Sequence, residues 1–236
     1  MNALRSFERR NAQLQHEENK MKLLNSFGPN PRAIRMAMIE KGVEMPAEEL
    51  DLLGGDNRAA AYVEKNPGGQ MPSLELDDGT VIAETTTICE YLDEIHPANP
   101  LIGATPVERA NTRQWIRRVE LEITENMYNG FRYSQGLDMF RDRVHCIPEA
   151  ADGLKAKAKR ARKWMDNLIA GREFIAGDKL SFADIVLYCC MDFAKDVGQP
   201  LEDDTPNIAA WFKRMDSRPS ATASLHPGAA QAKMRG

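Results

Sequence analysis

No run of apolar residues in this 236-residue chain approaches the length needed to cross a bilayer, so no membrane-spanning helix is expected. The first twenty residues lack the apolar stretch of a secretory signal, and export is not expected either. Cysteine is scarce. Cys89, Cys146, Cys189 and Cys190 show no metal-ligand spacing, and the adjacent Cys189 and Cys190 on one helix would not bridge each other easily. They read as reduced packing residues of a cytoplasmic protein, with no metal site. Charge of one sign is also lacking: a net charge of −4 suggests neither nucleic acid nor an anionic membrane as partner. There is no convincing internal repeat or low-complexity segment. What is present is an ordinary globular composition, 42% hydrophobic and 28% charged, with length enough for a core in one or two domains.

The chain divides by pattern. Residues 1–20 are polar and read as a disordered extension. From Met21 the order is a strand (about 22–25), a helix (about 31–41), a strand (about 47–52), a short helix (about 58–65), a hairpin and a further helix. That β-α-β-α-β-β-α order predicts an α/β layer with a mixed sheet, over residues 21–97. A linker rich in proline, asparagine and glycine follows at 98–105, and residues 106–236 read as all-helical. Trp115, Val119 and Ile123 recur every four residues; Ile208, Trp211, Phe212 and Met215 form another stripe. Ser181 and Asp184 have capping-box spacing ahead of a helix apolar on too many faces to lie at the surface.

The most informative stretch is Asn66 to Pro97. Asp78-Gly79, between Leu74/Leu76 and Val81/Ile82, predicts a two-residue hairpin turn. Ile88, Tyr91, Leu92 and Ile95 then form one helical face, ended by His96-Pro97. Met71-Pro72 opens the first strand of the hairpin with a residue that cannot donate to the ladder. Glu84-Thr85 sets a carboxylate and a hydroxyl at a helix N-terminus, where unpaired N–H groups favour an anion.

This stretch resembles the glutathione-binding half of a cytosolic glutathione transferase. Phe174 through Asp184 is similar to that family's folding motif, and Pro206 through Pro219 to its C-terminal segment. The resemblance spans roughly residues 21–225. It implies a thioredoxin-like N-terminal domain followed by an all-α domain, glutathione as co-substrate, a small electrophile as second substrate, and a homodimer. It further implies a cis bond before Pro72, Met71 pairing its backbone with the cysteinyl unit of glutathione, and Glu84-Thr85 receiving the glutamyl end. Arg58 and Gln70 become candidates for the glycyl carboxylate. Met127, Tyr128, Phe131, Arg132 and Tyr133 are expected to line the acceptor pocket, a cluster suited to a planar or weakly acidic electrophile, although inter-helix packing explains it equally.

The chemistry requires a thiolate. A free thiol with a pKa of about 8.5 is only about 3% ionised at pH 7, and lowering that pKa by about 2 units takes ~2.7 kcal/mol of selective stabilisation. Most family members place Tyr, Ser or Cys just after the first strand. Here the segment reads Asn25-Ser26-Phe27-Gly28-Pro29-Asn30-Pro31, resembling an atypical branch in which a Gly-Pro-x-Pro turn, backbone groups and water replace the side chain. Asn30 is expected as N-cap with Pro31 at the first helical position, and the donor is assigned to this terminus. Ser26 is the second choice; loss of thiolate activation is the third. The corresponding rival functions are a non-enzymatic glutathione-binding or scaffold protein, and a glutathione-dependent isomerase, dehalogenase or ether-cleaving enzyme on the same scaffold.

Overall fold

Met21 enters directly into a sheet in the computed structural model, which describes residues 21–229 and 236; the extension at 1–20 lies outside them. Strand β1 (Lys22–Asn25) is followed by α1 (Pro29–Lys41), β2 (Ala47–Glu49), a 3₁₀ turn (Asp56–Arg58), α2 (Ala60–Lys65), β3 (Ser73–Glu75), β4 (Val81–Ala83) and α3 (Thr85–Ile95). The sheet order is β2-β1-β3-β4. β1 pairs parallel with β2 and antiparallel with β3, putting Leu23 beside Ala47 and Leu74, and β4 closes the edge with Ile82 opposite Leu74. This mixed sheet is thioredoxin-like. Its buried face, Leu23 and Leu74, meets Ile34 and Ala37 of α1 and Ile88 and Leu92 of α3 in one core.

Two expectations about the strands need correction. The second strand ends at Glu49 and does not run to residue 52. Asp51 folds the chain away: its carboxylate accepts the Gly54 N–H at 2.8 Å, its carbonyl takes the Gly55 N–H, and Asp56 reaches back to the Asp51 N–H. Such local side-chain bonds compete with a ladder. The hairpin loop, too, is longer than two residues. Leu76 and Thr80 close it, Gly79 donates to Leu76 with φ 84°, and Asp77, Asp78 and Gly79 form a three-residue loop. A left-handed glycine ending such a loop absorbs the twist that a primed turn would otherwise supply.

After the linker the chain is helical: α4 (Pro106–Arg118), a π-helical turn (Val119–Thr124), α5 (Glu125–Arg132), α6 (Leu137–Phe140), α7 (Ala151–Leu168), α8 (Phe182–Asp196), α9 (Pro206–Asp216) and α10 (Pro219–Ala223). Thr105 and Glu108 form a full capping box at the start of α4. The linker is held by one buried lysine. Lys41 Nζ bonds Asp93 at 2.6 Å and the His96 carbonyl at 2.9 Å, and Asp93 in turn accepts the Leu101 and Ile102 N–H groups. α8 is buried almost throughout, as its continuous apolarity required.

The two halves are joined through α1. Arg32 is 0% exposed and pairs with Asp192 of α8 at 2.5 Å, while also donating to the Ala221 carbonyl at 2.8 Å and to Ser224. Arg35, one turn on, donates to the Asn25 side chain, the Ser26 carbonyl and the Ser224 carbonyl. Burial pulls its guanidinium down to about 10, still protonated at neutral pH. These two arginines fix the N-terminal end of α1 and the loop before it against the helical unit.

Candidate active site

The loop after β1 departs from expectation. Gly28, at φ 125°, is the N-cap of α1, with Pro29 at the first helical position and no side-chain cap. The helix therefore begins two residues before Pro31, and Asn30 lies in its first turn and is not the cap. The reason is conformational. Only glycine readily takes the Gly28 backbone, and Pro29 carries the φ that a first helical residue needs. A chemical consequence follows. Pro29 and Pro31 have no N–H, and the Arg32 N–H is used by the Gly28 carbonyl at 3.0 Å. Of the first three helical positions, only Asn30 retains a backbone donor to point outward along the helix dipole.

Ser26 does not offer its proton outward. It is 2% exposed, and its hydroxyl donates to the Leu50 carbonyl at 2.8 Å. The neighbouring Asn25 is held by Glu49 and Arg35. This loop is built by its side chains into the fold, and what it presents to the surface is Phe27, Gly28 and the helix start.

Met71-Pro72 is a cis bond, and ladder pairing starts after it at Ser73. The Gln70 carbonyl is tied down by the Tyr62 hydroxyl at 2.7 Å and by Asn66 at 2.8 Å, which fixes the approach to Met71. Glu84 is the N-cap of α3 at φ 69° and ψ 123°, with its side chain uninvolved in capping. A residue with a Cβ held there carries of the order of 1–3 kcal/mol of strain, which neighbouring structure must offset. Thr85 and Thr86 open the helix, and the Thr86 hydroxyl donates to Glu120 of the π turn at 3.0 Å. Burial, with Glu125 and Glu84 adding, pushes the Glu120 carboxyl up. The site thus offers N–H groups for a carboxylate beside carboxylates for an ammonium.

A cleft of about 90 Å³ lies between α1 and the helical unit, lined by Phe27, the Gly28–Pro31 turn, Leu52, Gln70, Met71, Tyr128, Phe131, Arg132, Phe140 and Phe193. Of the expected acceptor residues, Tyr128, Phe131 and Arg132 line it. Met127 and Tyr133 do not. Met127 is turned into the core, 3.8 Å from the Cys190 sulfur, and Tyr133 ends α5 outside the cleft. Phe140 and Phe193 were not foreseen. They stack on Phe131 edge-to-face, with centroids 6.0 and 5.3 Å away. Phe193 sits within the uniformly apolar α8, where no periodicity marks a cleft-facing side chain. Burial raises the Tyr128 phenol well above its ordinary range, so it stays neutral. A larger groove of about 640 Å³ opens beside the linker, between Asn99 and Ser181, but it is away from both the α1 terminus and the Met71 edge.

Arg58 is half-buried and is not among the residues lining the smaller cleft. Its guanidinium packs against Gly69, and burial together with Arg143 and Arg132 lowers its pKa. Gly69 has φ +56°, and a Cβ there would come within 2.7 Å of Arg58 Nη1 and 3.0 Å of the Asn57 carbonyl. Gly69→Ala is expected to lose about 1–2 kcal/mol of stability as Arg58 is displaced. Urea denaturation checks this; an unchanged midpoint would mean that Arg58 gives way without cost. Among the described residues no group of three or more His, Cys, Asp or Glu is arranged to hold a metal ion, and no helix is long and apolar enough to cross a membrane.

A thioredoxin-like sheet with a cis-proline edge, followed by a helical unit that closes a cleft over it, makes a two-part architecture of α/β and all-α domains. Family models described as glutathione S-transferase N-terminal and C-terminal domains match residues 27–95 and 146–219. Glutathione S-transferase 2 of Saccharomyces cerevisiae is 32% identical over 89% of this chain and 92% of its own length. The crystal structure of Gtt2 from Saccharomyces cerevisiae superposes with a TM-score of 0.81 at 30% identity, covering 86% of this chain and all of that one. The chain belongs to the glutathione S-transferase family. Elongation factor 1-gamma of Prunus avium is also similar, 27% identical over 84% of this chain, which spans 46% of that relative's length.

Proposed function

We propose that the protein is a cytoplasmic glutathione transferase that activates the glutathione thiol without a side-chain hydroxyl or thiol. The observation carrying this reading is that the Gly28–Pro31 turn, Gln70-Met71 and an aromatic wall share one cleft. In this reading Met71 pairs with the cysteinyl backbone as an added strand would. Thr85 and the α3 N-terminus take the glutamyl carboxylate, Glu84 takes its ammonium, and Gln70 with Arg58 takes the glycyl carboxylate. The sulfur then lies at the start of α1, where the Asn30 N–H and the helix dipole favour the thiolate. Electrophilic carbon approaches from the Tyr128/Phe131 side. A sulfur–carbon bond forms, the leaving group departs with its electron pair, and the thiol proton goes to solvent.

The acceptor is a small electrophile whose hydrophobic or aromatic body packs on the Tyr128/Phe131 wall. Isomerisation, dehalogenation and ether cleavage use the same thiolate and remain within this scaffold's chemistry. An exposed face on the helical unit, with Leu121 45% and Trp164 42% exposed among Arg117, Arg118 and Lys157, supports a homodimer; a monomer in sedimentation velocity would refute that part. A second reading, a scaffold that binds glutathione or nothing at all, is favoured by the occupied Ser26 hydroxyl and by the similarity to an elongation factor subunit. Retention on immobilised glutathione and turnover of 1-chloro-2,4-dinitrobenzene are expected. Retention without turnover of any electrophile would favour the scaffold.

A further inference from the structure

The cleft is lined by one cation, Arg132, and no anion, and two further arginines, Arg58 and Arg143, are placed on the residues around it. Burial lowers the Arg58 pKa, with the positive charges of Arg143 and Arg132 adding, and none of the three forms an ion pair with a carboxylate among the described residues. Arg143 is committed to the fold: its guanidinium donates to the Leu52 and Leu53 carbonyls, the latter at 2.6 Å. Arg58 lies against Gly69 with its Nε buried and unpartnered, on the side assigned to glutathione. Arg132 is different. It lines the cleft itself, its guanidinium 5.8 Å from the Tyr128 ring centroid and 5.7 Å from that of Phe140. Among the described residues its side chain hydrogen-bonds a neutral amide, Asn129, at 3.1 Å.

A half-buried guanidinium held beside aromatic rings is a planar fork suited to bidentate capture of a carboxylate. Arg132 is the charged side chain among the cleft's lining residues, which include no Asp or Glu, so an incoming anion meets an unbalanced positive charge there. One carboxylate from glutathione leaves the charge at Arg132 unmet.

Resting on the transferase reading, we infer that the acceptor is an anionic, planar electrophile whose carboxylate is held by Arg132, with its ring or double bond against Tyr128 and Phe131. Arg58 and Arg143 strengthen the field without touching the acceptor. Arg132 is thus a specificity-determining residue, and a neutral electrophile of the same shape is the poorer ligand.

The test compares two glutathione conjugates that differ only in charge, S-(4-carboxy-2-nitrophenyl)glutathione and its 4-carboxamide, by calorimetric titration of the intact protein beside glutathione itself. The acid is expected to bind about tenfold tighter than the amide, as a charge-assisted pair in a partly dry site does. In Arg132→Leu the two affinities are expected to converge, while Arg132→Lys, which keeps the charge but not the fork, retains a smaller preference. Equal binding of acid and amide by the wild-type protein overturns the inference, and so does an acid preference that survives Arg132→Leu. If both conjugates bind equally and glutathione also binds, this inference fails alone. If none of the three binds, the transferase reading fails with it.

Discussion

Replacing Asn30 by proline is expected to lower kcat/KM for glutathione conjugation about 10- to 100-fold, whereas Asn30→Ala should stay within a few-fold of wild type. The contrast follows from the start of α1. Pro29 and Pro31 have already removed two N–H groups, and the Arg32 N–H belongs to Gly28. Asn30→Pro deletes the remaining donor of the first three helical positions, where proline is otherwise tolerated. Asn30→Ala deletes the carboxamide and leaves that donor. Steady-state kinetics on both variants, with circular dichroism to establish folding, decides the matter. Loss of activity in Asn30→Ala would transfer the role to the side chain. Full activity in Asn30→Pro would remove the α1 terminus from the mechanism. Ser26→Ala offers an internal comparison. Its hydroxyl already serves Leu50, so its loss should act on loop order rather than on the thiolate.

Asp184→Leu is expected to cost about 3–5 kcal/mol of stability, the largest effect of any single change considered. The carboxylate is 0% exposed and accepts four hydrogen bonds: from the Ile175 N–H at 2.8 Å, the Ser181 N–H at 3.0 Å, the Ser181 hydroxyl at 2.6 Å and the Trp211 indole at 2.9 Å. Burial pushes its pKa up, and those four donors offset much of the push. Leucine fills the volume but leaves every donor unsatisfied in a dry core. Asp184→Asn keeps part of the acceptor capacity and should lose less. Urea denaturation measures both; a loss below about 1 kcal/mol for leucine would mean that the network is dispensable. The consequence reaches function indirectly, because α8 also carries Asp192, the partner of Arg32 at the base of α1.

How far the sequence predicted these features depended on how local their causes are. The hairpin, the Glu84-Thr85 helix start and the Ser181/Asp184 cap are written within a few residues, and each was readable. α1 starts two residues before the expected Pro31, and Asn30-Pro31 and Gly28-Pro29 are both acceptable helix starts. Gly28 at φ 125° settles the choice, and Arg32 and Arg35 then hold α1 through contacts nearly two hundred residues distant. Nothing local says that Arg32 is buried, since arginine ordinarily sits at the surface. The cleft shows the same limit. Tyr128, Phe131 and Arg132 share one helical face, so their association was legible. Phe193 joins them only when α8 packs across, and Met127, one residue from Tyr128, turns the other way. Glu84's left-handed backbone is also a tertiary product, for no isolated glutamate prefers φ 69°.

In the proposed mechanism the start of α1 stabilises the glutathione thiolate. Ultraviolet titration of thiolate absorbance in the glutathione complex tests it most directly. A bound-thiol pKa about 2 units below the free value of about 8.5 is expected, returning most of the way in Asn30→Pro. A bound thiol that titrates like free glutathione in the wild-type protein would contradict it.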